Sequence, residues 1–186
     1  VVIPLPDKKY SVIYADPPWS YSGGGAKRNV TKHYHTMKAK DIYDLPVQDI
    51  AADDCLLFMW ATFPNLEVAL ETIRRWGFQY KTAAFVWVKR NRKSPGWFWG
   101  LGNWTGANPE VCLLATKGKP IRASRSVHSI IDAPIGRHSE KPAETRDRIA
   151  ALAGGGRYDR TICQTGGPRL GRLGRRSAAD RKRGKP

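Results

Sequence analysis

Tyr10-Ser11-Val12-Ile13-Tyr14-Ala15-Asp16-Pro17-Pro18-Trp19 is the stretch on which the fold turns. Its first six residues form a short apolar run that reads as a buried strand. Two prolines follow the carboxylate. Neither has an N–H to give, so no strand ladder continues past Asp16. An acid, two unpaired carbonyls and an indole are left at the strand's C-terminal edge. In open α/β sheets that edge is where ligands bind. A carboxylate beside carbonyls is an acceptor-only cluster, suited to gripping an amino group, with Trp19 beside it to stack on the ring that carries the amine.

The next segment, from Tyr21 through Gly23-Gly24-Gly25 to Arg28, is a loop by composition. It lacks the spacing of a phosphate-binding loop. Asp41 to Pro46 reads as a short helix ended by proline. Cys55 to Trp60 is a near-continuous apolar run, as expected of a strand buried on both faces. Residues 64–76 carry helical apolar spacing at Leu66, Ala69, Leu70 and Ile73, opened by Pro64 and closed by Gly77. Phe78 to Lys89 and Val111 to Thr116 read as strands. Residues 142–153 read as a helix with Pro142 in its first turn. This order predicts an α/β fold with a doubly wound, mostly parallel sheet covered by helices.

The chain has 186 residues, 41% hydrophobic and 26% charged, ordinary for one soluble domain. No apolar run approaches a bilayer span and no signal peptide opens the chain, so a cytoplasmic protein is expected. Cys55, Cys112 and Cys163 lie far apart without a C-x-x-C, which argues against a disulfide framework or a zinc site. His33 and His35 have no third ligand nearby, so no metal is expected.

The net charge is +16. Residues 157–186 hold ten Lys/Arg and two Asp, a net of +8; the other 22 basic and 14 acidic residues give residues 1–156 a further +8. A basic body implies a polyanionic partner. Lys89, Arg90, Arg92 and Lys93 run into Trp97, Phe98 and Trp99, a mixture of cations and aromatics that suits a nucleic-acid-contacting loop.

Four ordered blocks carry a resemblance. They are Asp16-Pro17-Pro18-Trp19; His33-Tyr34-x-Thr36-Met37 with Leu45-Pro46; Gly100-x-Gly102-x-Trp104-Thr105-x-x-Asn108-x-Glu110; and His138-Ser139-x-Lys141-Pro142. From about Tyr10 to about Leu152 the chain resembles the adenine N(6)-methyltransferases of the messenger-RNA methyltransferase type, in particular their small bacterial and phage members. The resemblance implies a permuted, Rossmann-like sheet that binds S-adenosylmethionine. It also implies methyl transfer to the exocyclic amine of adenine, in DNA more than RNA. Asp16, Pro17, Pro18 and Trp19 are the implied catalytic group, with Asp16 and the Pro17 carbonyl accepting the amine's two N–H bonds. Trp19, Tyr21, Tyr34, Trp104, Asn108 and Glu110 are the implied substrate-side residues, with Asn108 and Glu110 bracing the pocket edge. Asp16, Ser139 and Lys141 are implied for the cofactor, Lys141 holding its methionine carboxylate beside a helix N-terminus. Two alternatives stay open: the same chemistry on RNA, and a nucleic-acid-binding subunit of weak or lost activity. Oligomeric state and recognition sequence are not legible.

The resemblance stops near Arg157. Family members continue with a strand ending in an acidic-Leu-Phe-x-Arg pattern and a Gly-Trp-x-x-Trp-Gly tail. Here Tyr158-Asp159-Arg160-Thr161-Ile162-Cys163-Gln164 is followed by Gly166-Gly167-Pro168-Arg169-Leu170-Gly171. Residues 157–186 therefore read as a basic tail too polar to order itself, appended to a methyltransferase domain over 1–156. GC-rich codons for Gly166 to Arg175, shifted by one base, can spell the family ending, so a frameshift is the expected origin of the tail. The gene sequence around Gly154 to Gly174 checks this: an uninterrupted frame with no family ending in either other frame would rule it out.

Overall fold

Two adjacent parallel strands position everything that follows. They are β1 (Tyr10–Ala15) and β2 (Ala51–Ala61), with Ala15 beside Met59. The computed structural model describes residues 8–21, 36–102, 104–136, 140–154, 160–164 and 169–172. The remaining strands are β3 (Gln79–Arg90), β4 (Glu110–Lys117), β5 (Ile130–Pro134), β6 (Arg160–Gln164) and β7 (Arg169–Arg172). The helices are α1 (Ala39–Tyr43), α2 (Leu66–Arg75) and α3 (Glu144–Ala153). One sheet runs in the order β5-β3-β4-β2-β1-β6-β7.

Alternate residues of β1 and β2 feed two cores. Ile13, Ala15, Leu57, Met59 and Ala61 pack with Ile42, Ala69, Ile73 and Trp76 on the α1 and α2 side. Val12, Tyr14, Leu56, Phe58 and Trp60 pack with Phe85, Trp87, Ile131 and Ile149 on the α3 side. With both faces covered, the strands need no polar face, which explains the unbroken apolar run from Cys55 to Trp60. Each fully buried large side chain among them contributes about 1.5–3 kcal/mol. Helix α2 ends where Gly77 takes a φ of +80°, and the Trp76 indole donates to the Ile42 carbonyl at 3.0 Å, tying α2 to α1.

The expectation of a mostly parallel sheet is corrected. Pairings β1–β2, β1–β6 and β3–β5 are parallel, whereas β2–β4, β3–β4 and β6–β7 are antiparallel, so the sheet is mixed. The reason is local. Among the described residues no helix separates β3 from β4, and without a crossover the chain can only turn back on itself. Strand β5 was not expected; it is a short edge element in which Ile131 alone is fully buried, too brief for a periodic signal. Beyond residue 156 the described backbone consists of β6 beside β1 and β7 beside β6, so the sheet extends past the boundary drawn from the sequence.

Candidate active site

The mixed sheet gathers one set of strand ends on one edge. β1 ends at Ala15, directly before Asp16; β2 ends at Ala61, opposite Val111 of β4; and Trp87 of β3 lies opposite Glu110. Helix α3 begins just after Lys141-Pro142. Four chain segments far apart in sequence thus deliver Asp16, Glu110, Lys89 and Lys141 to one place.

These side chains form a chain of alternating charge. The Lys141 ammonium lies 2.9 Å from Asp16 Oδ2 and 3.3 Å from Glu110 Oε2. The Lys89 ammonium donates to Glu110 Oε1 at 2.7 Å. Beneath them lies an aromatic floor from the α3-side residues of three strands. Lys141 sits 5.8 Å from the Trp60 ring centre and Lys89 5.2 Å from that of Trp87. The two indoles meet edge to face, and Trp60 Nε1 donates to the Tyr14 hydroxyl at 2.6 Å. Tyr21 closes one side by donating to Thr62 Oγ1 at 3.1 Å.

Burial and charge oppose each other at Asp16, Glu110 and Lys141. Burial pushes the Asp16 carboxyl above its ordinary range, Lys141 pulls it back, and Glu110 pushes it up again. Burial acts on Glu110 in the same sense, but the two lysines together outweigh it and hold that carboxyl low. Burial disfavours the Lys141 cation, yet Asp16 and Glu110 more than compensate and keep it protonated. The Lys141 side chain is only 5% exposed, so its ionic partners are what make its charge tolerable there. Asp16 keeps 22% of its side chain exposed and can still meet a ligand.

Two hollows share Gly136 and Glu140 in their walls. One of about 310 Å³ is lined by Trp87, Lys89, Phe98 and Glu110; the other, about 270 Å³, by Pro134, Glu140, Lys141 and Pro142. The donor set fits the amino-acid end of S-adenosylmethionine. A buried cation suits its carboxylate, and two carboxylates suit its ammonium and sulfonium.

Several expectations change. Trp19 was expected to stack on a base. It is a core indole, 6% exposed, whose N–H donates to the Trp60 carbonyl at 3.0 Å. The carbonyls of Pro17 and Pro18 were expected to be unpaired. Each accepts one backbone N–H at 2.9 Å, from Trp19 and Met37 respectively, which leaves one lone pair per oxygen. Lys89 was expected to face nucleic acid but is half-buried, with its ammonium paired to Glu110. Arg90 is held at both guanidinium ends by Asp132, at 2.7 Å each, and lies 3.5 Å from the Trp97 ring centre. Of the four cations read as nucleic-acid contacts, Arg92 and Lys93 are exposed. Trp104, expected on the substrate side, stands in solvent. Asn108 exchanges hydrogen bonds with both the N–H and the carbonyl of Lys89 and donates to the Phe98 carbonyl. Tyr34, His33, His35, His138 and Ser139 lie outside the described residues.

Tyr14, Trp60, Trp87 and the true role of Lys89 were missed from sequence. Strand parity held the signal: Trp60 and Tyr14 share a face, and Trp87 and Lys89, two residues apart on β3, lie on that same face.

Among the described residues no helix is long and apolar enough to cross a membrane, and no group of three His, Cys, Asp or Glu could hold a metal ion. Cys55 and Cys112 are buried thiols, and burial pushes Cys55 up to about 12.

Fold and site together define an α/β protein with a cluster of charged side chains gathered at its strand ends. The chain belongs to the MT-A70 family, whose profile matches residues 10–158. It is 38% identical over 168 residues to the type II methyltransferase M.MunI of a Mycoplasma species, covering 80% of this chain and 69% of that one. It is 30% identical to an N(6)-adenosine-methyltransferase MT-A70-like protein of Drosophila melanogaster and to the N(6)-adenosine-methyltransferase subunit METTL3 of Danio rerio. Those matches cover 80% of this chain but only 23% and 24% of the two longer proteins.

Proposed function

We propose that this chain transfers a methyl group from S-adenosylmethionine to the N(6) amine of adenine in DNA. The observation that carries the proposal is Asp16, at the end of β1, joined to Lys141 and through it to Glu110 and Lys89. Lys141 would hold the methionine carboxylate and Glu110 the ammonium. The cofactor, when bound, supplies an electrophilic methyl on a sulfonium. Lys141 pairs with Asp16 at 2.9 Å. Asp16 and the remaining lone pair of the Pro17 carbonyl would accept the two N–H bonds of the adenine amine. That favours tetrahedral character and turns the nitrogen lone pair outward, so positioning and electrostatics supply most of the acceleration. A carboxyl raised by burial is also matched to take the proton that the methylated nitrogen sheds.

We read the sheet as the permuted, doubly wound type. Helices on both faces and a site at the ends of the parallel strands β1 and β2 support that reading. A cytoplasmic enzyme of a bacterium or its phage fits it. The M.MunI relative favours DNA, while the adenosine methyltransferase relatives keep RNA as an arm of the test. Tritiated S-adenosylmethionine is incubated with unmethylated DNA and with RNA of matched sequence, and the nucleosides are resolved by mass. N(6)-methyladenine in DNA is expected. Labelling of RNA alone would move the substrate to RNA, and binding without incorporation would make the chain a non-catalytic subunit.

A further inference from the structure

We infer that the tip of the hairpin between β3 and β4 enters a nucleic-acid duplex, with Leu101 and Trp104 filling the gap left when the target base swings out. This rests on the methyl-transfer reading above. The root of the loop is fixed. Asn108 ties the end of β3 to Phe98, and the Phe98 N–H donates to the Lys89 carbonyl at 2.9 Å. Farther out, Gly100 and Ala107 exchange both backbone hydrogen bonds, at 2.6 and 3.1 Å, closing a short hairpin. Beyond it Gly102 lies close against the Thr105 carbonyl, where a Cβ would collide. On this braced stalk Leu101 is 94% and Trp104 98% exposed. Trp97 and Trp99 are exposed below them, so the apolar residues are clustered rather than scattered singly over the surface.

Charge selects the occupant. Residues 91–109 contain no acid, and Arg92 and Lys93 stand exposed at the base of the loop. A second copy of a +16 chain would be repelled and a polyanion drawn in. Position selects the role. The loop springs from Lys89 and returns at Glu110, two members of the charged chain that includes Asp16, so its tip stands at the edge where an extruded adenine would arrive. In a duplex the N(6) amine is paired and stacked, and a base must leave the helix to be modified. Apolar side chains wedged between base steps are a known way to offset the lost stacking.

The test uses the full chain and two fluorescent duplexes of one sequence, intact and with a single abasic position. A wedge meets less resistance at a ready-made gap. Wild type is expected to bind the abasic duplex about tenfold more tightly, a preference comparable to the stacking of one base. The double variant Leu101→Ala/Trp104→Ala should lose that preference while its salt dependence stays unchanged. Arg92→Ala/Lys93→Ala should keep the preference and flatten the salt dependence by about one to two units of slope. Equal binding of the two duplexes by wild type, or an unchanged preference in the Leu101/Trp104 variant, overturns the inference. So does a drop in sedimenting mass on that substitution, which would assign the tip to a second copy. Failure of the methyl-transfer reading would appear separately, as no methyl incorporation by wild type whatever the duplex preference.

Discussion

Replacing Lys141 by Met should expose how much of this site's order comes from one ammonium. Met matches the aliphatic stem, so the change is mainly of charge. Asp16 and Glu110, at 2.9 and 3.3 Å from the lost nitrogen, would then face each other with only Lys89 left to offset them. Removing one partner of a buried ion pair costs about 3–5 kcal/mol. Asp16 is partly exposed and Glu110 keeps Lys89, so the low end, about 3 kcal/mol, is expected near neutral pH. For a chain of this size that is a fall in Tm of about 6–12 °C. The loss should depend on pH. Burial already raises the Asp16 carboxyl and Lys141 lowers it, so Lys141→Met raises it further. The folded protein then holds a proton that the unfolded chain has released. The penalty is therefore full above the folded pKa and recedes as pH falls through it toward the ordinary carboxylate range. Urea unfolding of wild type and variant at about pH 8 and about pH 5 reads the difference directly. Asp16→Asn added to Lys141→Met should restore most of the stability, because neither partner is left charged and alone. An unchanged midpoint for Lys141→Met at the higher pH, or a loss of equal size at both, would refute the reasoning.

Other consequences can be checked in the same preparations. Glu110→Gln removes a charge that raises Asp16, so the acid limb of the kcat/KM profile should move to lower pH; a shift to higher pH would mean that loosening Lys141 dominates. Trp19→Ala should cost about 3–5 kcal/mol of stability while leaving KM for nucleic acid unchanged in the folded fraction. A raised KM with intact stability would return Trp19 to the substrate pocket.

The sheet's interior was legible because strands covered on both faces must be apolar throughout, as Cys55 to Trp60 are. The break at Asp16 was equally plain, since two prolines forbid any other reading. Strand direction was not legible: a loop and a crossover look alike in sequence when the loop from Asn91 to Pro109 is long enough for either. Trp19 misled because an indole after a turn can fold inward or outward, and the inward choice is made by the Trp60 carbonyl, contributed from another strand. Lys89 misled for the same reason. In sequence it belongs to a basic run, but strand pairing turns it toward Glu110. Arg90 is likewise claimed by Asp132 on β5, a strand that gave no signal of its own.

The most direct measurement is single-turnover methyl transfer by Asp16→Asn, with DNA and S-adenosylmethionine affinities determined alongside. The amide keeps the shape but adds a donor where two acceptors are needed. The transfer rate should fall by about 10²–10⁴ while both affinities stay within a few-fold of wild type. A variant that still transfers the methyl group within about threefold of the wild-type rate would contradict the role given to Asp16.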